Sequence, residues 1–124
     1  MGSLLGKRVL VLEDEPLVAI MLGEMLADAG CIVVGPAFNA EQALSLVEQN
    51  PIDAAILDIN LGSGQTSAPV ADALAEKAIP FLFATGYGCT AMRGRDQERV
   101  RIDKPYDAST IHDALRKCMK AAPG

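Results

Sequence analysis

Apolar residues fall into two kinds of run along this chain, short unbroken ones and longer ones spaced three and four apart, and the two kinds alternate. Residues 8–12 (RVLVL) are branched or leucine after the first position, without polar alternation, as expected for a strand covered on both faces. The run ends in Glu13, Asp14 and Glu15. Pro16 fits the first turn of a helix, and Val18, Met21, Leu22, Met25 and Ala29 recur at helical spacing until Gly30 stops it. Residues 31–34 predict a second apolar strand. Asn39 with Gln42 three residues later predicts a helix cap, Ala43, Leu44 and Val47 the buried stripe behind it, and Pro51 its end. Residues 54–59 predict a third strand, 70–78 a third helix, 80–84 a fourth strand and 100–102 a short fifth. Asp107 caps a last helix whose inner face is Ile111, Leu115, Cys118 and Ala122.

Strands that alternate with helices pair in parallel through right-handed crossovers, which places helices on both faces of one doubly wound α/β sheet. Five β/α units are readable, the fourth of them defective. Between Thr85 and Val100 stand Gly86, Gly88 and Gly94 and several charges, with almost no apolar period, so the fourth helix is expected to be short or disordered. A stretch of that length without regular structure is uncommon unless it functions or moves.

Length and composition narrow this further. The 124 residues suit a single domain, residues 1–124, and half of them are apolar with 22% charged, a globular balance. The longest unbroken apolar run, residues 17–22, is far short of the roughly 20 that cross a bilayer. No secretory leader opens the chain. Three scattered cysteines without a C-x-x-C pair suit reduced thiols, and a cytoplasmic location is expected. A formal charge of −5 argues against a nucleic-acid surface. The single histidine, His112, leaves no material for a triad or a multi-histidine metal site.

The remaining chemistry lies on carboxylates, hydroxyls and lysine. In open parallel sheets ligands bind beyond the carboxyl ends of the strands. Glu13 and Asp14 leave the end of strand one, Asp58 lies near the end of strand three, Thr85 follows strand four, and Lys104 follows strand five. Polar residues end apolar strands in most proteins, but a reactive side chain at each of these ends is a different matter. Three converging acids repel one another unless one is protonated or a divalent cation neutralises them. Mg²⁺ suits a site of few carboxylates that leaves water and phosphate oxygens as the other ligands. Strands three and five lie roughly 10 Å apart at about 4.8 Å per strand, so only a long side chain such as Lys104 spans to a group on Asp58.

These motifs resemble the receiver domain of two-component response regulators over essentially the whole chain: the acidic pair in VLVLEDE, the acceptor in AAILDINLG, Thr85 in FLFATGY and the lysine in RIDKPYD. The resemblance implies a flavodoxin-like, five-stranded sheet of order 2-1-3-4-5. It implies Asp58 as the aspartate phosphorylated from a sensor histidine kinase or a histidine phosphotransfer protein, and Mg²⁺ held by Glu13, Asp14, Asp58 and the Asn60 carbonyl. Thr85 and Lys104 would bind the phosphoryl oxygens, and a cis Lys104–Pro105 bond would turn the lysine inward. FATGY is also similar to the FAT-GUY subgroup of receivers, whose fourth helix is short or disordered. The usual aromatic switch, three residues before the lysine, is here Arg101, which leaves Tyr87 as the aromatic nearest the site, either as a switch or as a lid over the pocket.

Three other readings compete. A Mg²⁺-dependent phosphatase of the haloacid dehalogenase type resembles this chain in its strand-end aspartate, but needs a second aspartate where Asn60 stands. A flavodoxin-like FMN binder would meet repulsion from residues 13–15. A phosphorylation-independent interaction module would not need the catalytic side chains that are present. Elsewhere plain readings suffice: Cys31 and Cys118 as small core residues, His112 as a solvated helix residue, Cys89 without a redox role, and Arg93, Arg95, Arg99 and Arg101 as a solvated surface or a docking patch for an acidic partner. No output domain is legible, so the chain is expected to act as a single-domain regulator.

Overall fold

The computed structural model describes residues 4–59, 61, 66–85, 101–103 and 107–121, with the backbone alone at 85, 101–103, 120 and 121. The strands are β1 (Arg8–Leu12), β2 (Ile32–Ala37), β3 (Ala54–Asp58), β4 (Phe81–Thr85) and β5 (Arg101–Asp103), and the helices α1 (Pro16–Asp28), α2 (Ala40–Gln49), α3 (Ala68–Glu76) and α4 (Ala108–Ala121). The strands form one sheet in the order β2-β1-β3-β4-β5, each pair parallel. This is the flavodoxin-like α/β fold.

Unbroken apolar strands are required because each face of the sheet is covered. Val9, Val11, Ile56, Leu82 and Ala84 point to the side closed by α1 and α4, where Leu22, Leu26, Ile111 and Leu115 meet them. Leu10, Leu12, Leu57, Phe81 and Phe83 point to the side closed by α2 and α3, against Val47, Val70 and Leu74. Phe81 and Phe83 meet edge to face with ring centroids 5.6 Å apart. Cys31 and Cys118 are buried as free thiols in the first of these layers, as expected.

Several boundaries depart from the expected ones. β2 runs from Ile32 to Ala37 instead of 31–34, continuing through Gly35 and a cis bond to Pro36. As an edge strand it tolerates a proline whose missing N–H would break a central ladder. β3 stops at Asp58, with Ile59 already in a bend. β4 and β5 each lie one residue later than expected. α3 begins two residues early because Pro69 is accommodated in its first turn, and ends at Glu76 because Ala78 adopts φ 56. In α1 the inward residues are Ala19, Leu22 and Leu26, whereas Met21, expected inside, is 55% exposed. Leu17 and Ile20 are exposed as well, so hydrophobicity surrounds this helix and its periodicity is a weak guide to the buried face.

His112 is another correction. It is half-buried rather than solvated, and its Nε2–H donates to the Met25 carbonyl at 2.8 Å. At Gly30 (φ 87) the α1–β2 turn closes against Leu5, whose Cδ1 would lie 2.6 Å from any Cβ there. The expectations for the fourth helix, Tyr87, Cys89, Arg93, Arg95 and Arg99, Lys104 with its bond to Pro105, the Asn60 carbonyl and Ala122 lie outside the described residues, as do the side chains of Thr85 and Arg101.

Candidate functional site

Strand register assembles the site. Leu12 pairs with Leu57, so the next residues, Glu13 and Asp58, leave adjacent strands at the same level. Asp58 pairs with Ala84, placing Thr85 one step beyond it, and Thr85 pairs with Asp103, the residue before Lys104. Glu13, Asp58 and Thr85, up to 72 residues apart in the chain, thus reach one edge of the sheet, because parallel pairing lines up the carboxyl ends.

At that edge carboxylate oxygens of Glu13, Asp14 and Asp58 all lie within 4.8 Å of one another. Glu13 is 1% exposed and Asp58 5%, while Asp14 is half-buried. The Glu15 N–H donates to Glu13 Oε2 at 3.1 Å, and the Glu13 N–H donates to the Ala37 carbonyl at 3.0 Å at the end of β2. α1 starts at Pro16 directly after these acids, so its positive end faces them. Buried like charges this close cannot remain ionised together at low cost without a cation. An all-oxygen, carboxylate-rich donor set is the hard chemistry that Mg²⁺ prefers, so the residues present fit that ion.

Two features around the site had no counterpart in the sequence reading. Ser67, one residue before α3, ties its N–H to the Ile59 carbonyl at 3.0 Å, closing the loop that follows Asp58. A serine before Ala-Pro was the sole sequence signal for it. The Ala37 carbonyl on the Glu13 N–H had no signal, since it depends on how far β2 extends.

Comparison with known proteins agrees with this geometry. Residues 9–116 match the response regulator receiver domain. The chain is 27% identical over 112 residues to the transcriptional regulatory protein PdtaR of Mycobacterium tuberculosis, covering 88% of this chain and 55% of that protein. It is 26% identical over 118 residues to the phyllosphere-induced regulator PhyR of Methylorubrum extorquens, covering 93% and 44%. The chain therefore spans about half the length of the curated relatives it matches. Among solved structures it resembles SdrG from Sphingomonas melonis Fr1 at 39% identity and a TM-score of 0.84, covering 96% of this chain and 99% of that one.

Proposed function

Since this chain belongs to the response regulator receiver domain family and its role is that of a phospho-accepting receiver, we propose that Asp58 is the phosphoacceptor of a two-component phosphorelay. The observation that carries this reading is the convergence of the Glu13, Asp14 and Asp58 carboxylates within 4.8 Å at the carboxyl edge of the sheet. A carboxylate oxygen of Asp58 attacks the phosphorus of a phosphohistidine. The P–N bond breaks with its electron pair returning to the imidazole, and an acyl phosphate remains on Asp58. Phosphoryl transfer of this kind needs mainly positioning and charge neutralisation.

Glu13, Asp14, Asp58 and the Asn60 carbonyl would hold Mg²⁺, which when bound offsets the negative charge of the acids and the incoming phosphoryl oxygens. Thr85, the last residue of β4, and Lys104, the residue after β5 in the sequence, would bind those oxygens. The donor is a sensor histidine kinase or a histidine phosphotransfer protein. The FATGY string supports membership of the FAT-GUY subgroup, with Tyr87 either a switch that, with Arg101, answers phosphorylation and signals to a partner protein, or a lid over the pocket. The chain acts as a regulator rather than a classical enzyme. A cytoplasmic location suits the reading, and no helix among the described residues is long and apolar enough to cross a membrane. The phosphatase alternative is not favoured, because the family match and Asn60 both stand against it.

Incubation with acetyl phosphate and Mg²⁺, read by intact mass, tests the proposal. One phosphoryl group should be gained, and none by Asp58→Asn or in EDTA. Labelling of the Asn variant would overturn the acceptor assignment.

A further inference from the structure

A β-strand turns every second side chain to one face, yet β2 buries Val34 and Ala37, three residues apart. The pairing with β1 explains how. Leu10 faces Val34 and Leu12 faces Ala37, so two steps along β1 are matched by three along β2. One extra residue is therefore absorbed at Gly35–Pro36, as a bulge that keeps both Val34 and Ala37 inward. Only glycine suits the turn it needs. Gly35 has φ +108, and a Cβ at that position would lie 2.8 Å from the Ala37 nitrogen and 3.2 Å from the Val11 carbonyl oxygen, both backbone atoms that cannot swing aside.

The bulge has a consequence just beyond the carboxyl end of β1. It brings the Ala37 carbonyl level with the Glu13 N–H, which donates to it at 3.0 Å. Glu13 is the most deeply buried of the three clustered acids, so its carboxylate is aimed by its backbone more than by free rotation in solvent. A strand paired in register would set residue 36 opposite Leu12 and turn the β2 side chains over, since one residue of slip exchanges the two faces. We propose that Gly35 is a positioning residue for Glu13: the β2 bulge fixes the Glu13 backbone through the Ala37 carbonyl and so holds its carboxylate against Asp14 and Asp58 in cation-binding geometry. This rests on the reading above that the cluster binds a divalent cation.

The test uses Mn²⁺ as a paramagnetic stand-in, with free ion counted by electron paramagnetic resonance and stability followed by urea unfolding. The variants are Gly35→Ala, Gly35→Asn and, as a control that loosens the same core layer away from the bulge, Val47→Ala. Gly35→Ala should weaken Mn²⁺ binding by about tenfold, the low end of what disturbing a ligand's support costs. Gly35→Asn should weaken it as well, since its Cβ meets the same two backbone atoms, but somewhat less, because Asn tolerates positive φ better than Ala. Val47→Ala should lose stability and bind as the wild type does. Wild-type affinity in Gly35→Ala, or an equal loss in Val47→Ala, would overturn the proposal. If Gly35→Ala fails to fold, Gly35→Asn decides, and an unchanged affinity there overturns it. Absence of Mn²⁺ binding by the wild type would instead sink the cation reading of the cluster, and this inference with it.

Discussion

Ser67 carries a hydroxyl into the interior that finds no hydrogen-bond partner among the described residues, at 1% exposure. Its useful bonds are made by the backbone: N–H to the Ile59 carbonyl, and carbonyl to the Ala71 N–H at 2.9 Å. Both survive a change of side chain, whereas a buried unpaired hydroxyl costs about 1–3 kcal/mol. Ser67→Ala is expected to raise the unfolding free energy by about 1 kcal/mol in urea, and a loss of stability would mean that the hydroxyl has a partner in the native protein. Asp107 is the opposite case. Its Oδ1 accepts the Thr110 N–H at 2.8 Å, and that backbone bond, followed by one from the Thr110 hydroxyl, holds the carboxyl below its ordinary value of 3.8. A carboxyl depressed by folding stabilises the folded state above the ordinary value and loses that contribution as pH falls through the folded one. The start of α4 should therefore loosen in acid, below about pH 4. Asp107→Asn, which keeps the acceptor but does not titrate, should remove that component from an acid titration of the Thr110 amide shift. Cys31 needs no special chemistry: burial pushes its thiol up, against a smaller lowering by Arg116.

Between elements, the ends of helices matter more than their middles. At the end of α1 the Ala29 N–H turns to the Leu26 carbonyl instead of the Met25 carbonyl four residues back. His112, on α4, supplies the missing donor from across the packed interface. His112→Ala leaves that carbonyl without its partner and should cost about 1–2 kcal/mol, measured by urea unfolding with α1 amide exchange as the local readout; an unchanged midpoint would reduce this bond to an incidental contact. Neither partner could be paired from sequence, because they stand 87 residues apart. Helical spacing alone also misassigned Met21. In α1 apolar residues occupy nearly all directions, so the inward set follows from the sheet beneath it. α2 was easier to read. Asn39 Oδ1 accepts the Gln42 N–H at 2.8 Å, and Ala43 and Val47 are buried as expected, since a local cap and one clear stripe need no distant partner.

At the scale of the whole molecule, the carboxyl edge of the sheet trades stability for binding. Three acids within 4.8 Å repel, and at an effective dielectric near 20 a single unit-charge pair at that spacing costs about 3 kcal/mol before solvent screening at half-buried Asp14. Without divalent cations Asp58→Asn should therefore unfold at higher urea than the wild type, by about 2 kcal/mol. Added Mg²⁺ should stabilise the wild type by mass action and the variant much less; equal responses would separate the cation from Asp58. Much of this edge was legible in the chain. Runs such as RVLVL and AAILD admit only a sheet covered on both sides, and in parallel pairing the residue after each run goes to the same edge. That puts Glu13, Asp14 and Asp58 at one edge from the sequence alone, because apolar continuity and strand ends are properties of consecutive residues. What the tertiary structure alone decided were the non-local matches: the bulge that carries β2 through Gly35 and Pro36, the Ala37 carbonyl under Glu13, the buried face of α1 and the tie from His112. Each depends on what a residue meets across a pairing or packing contact, and a sequence does not state how two distant segments align until one of them has been laid against the other.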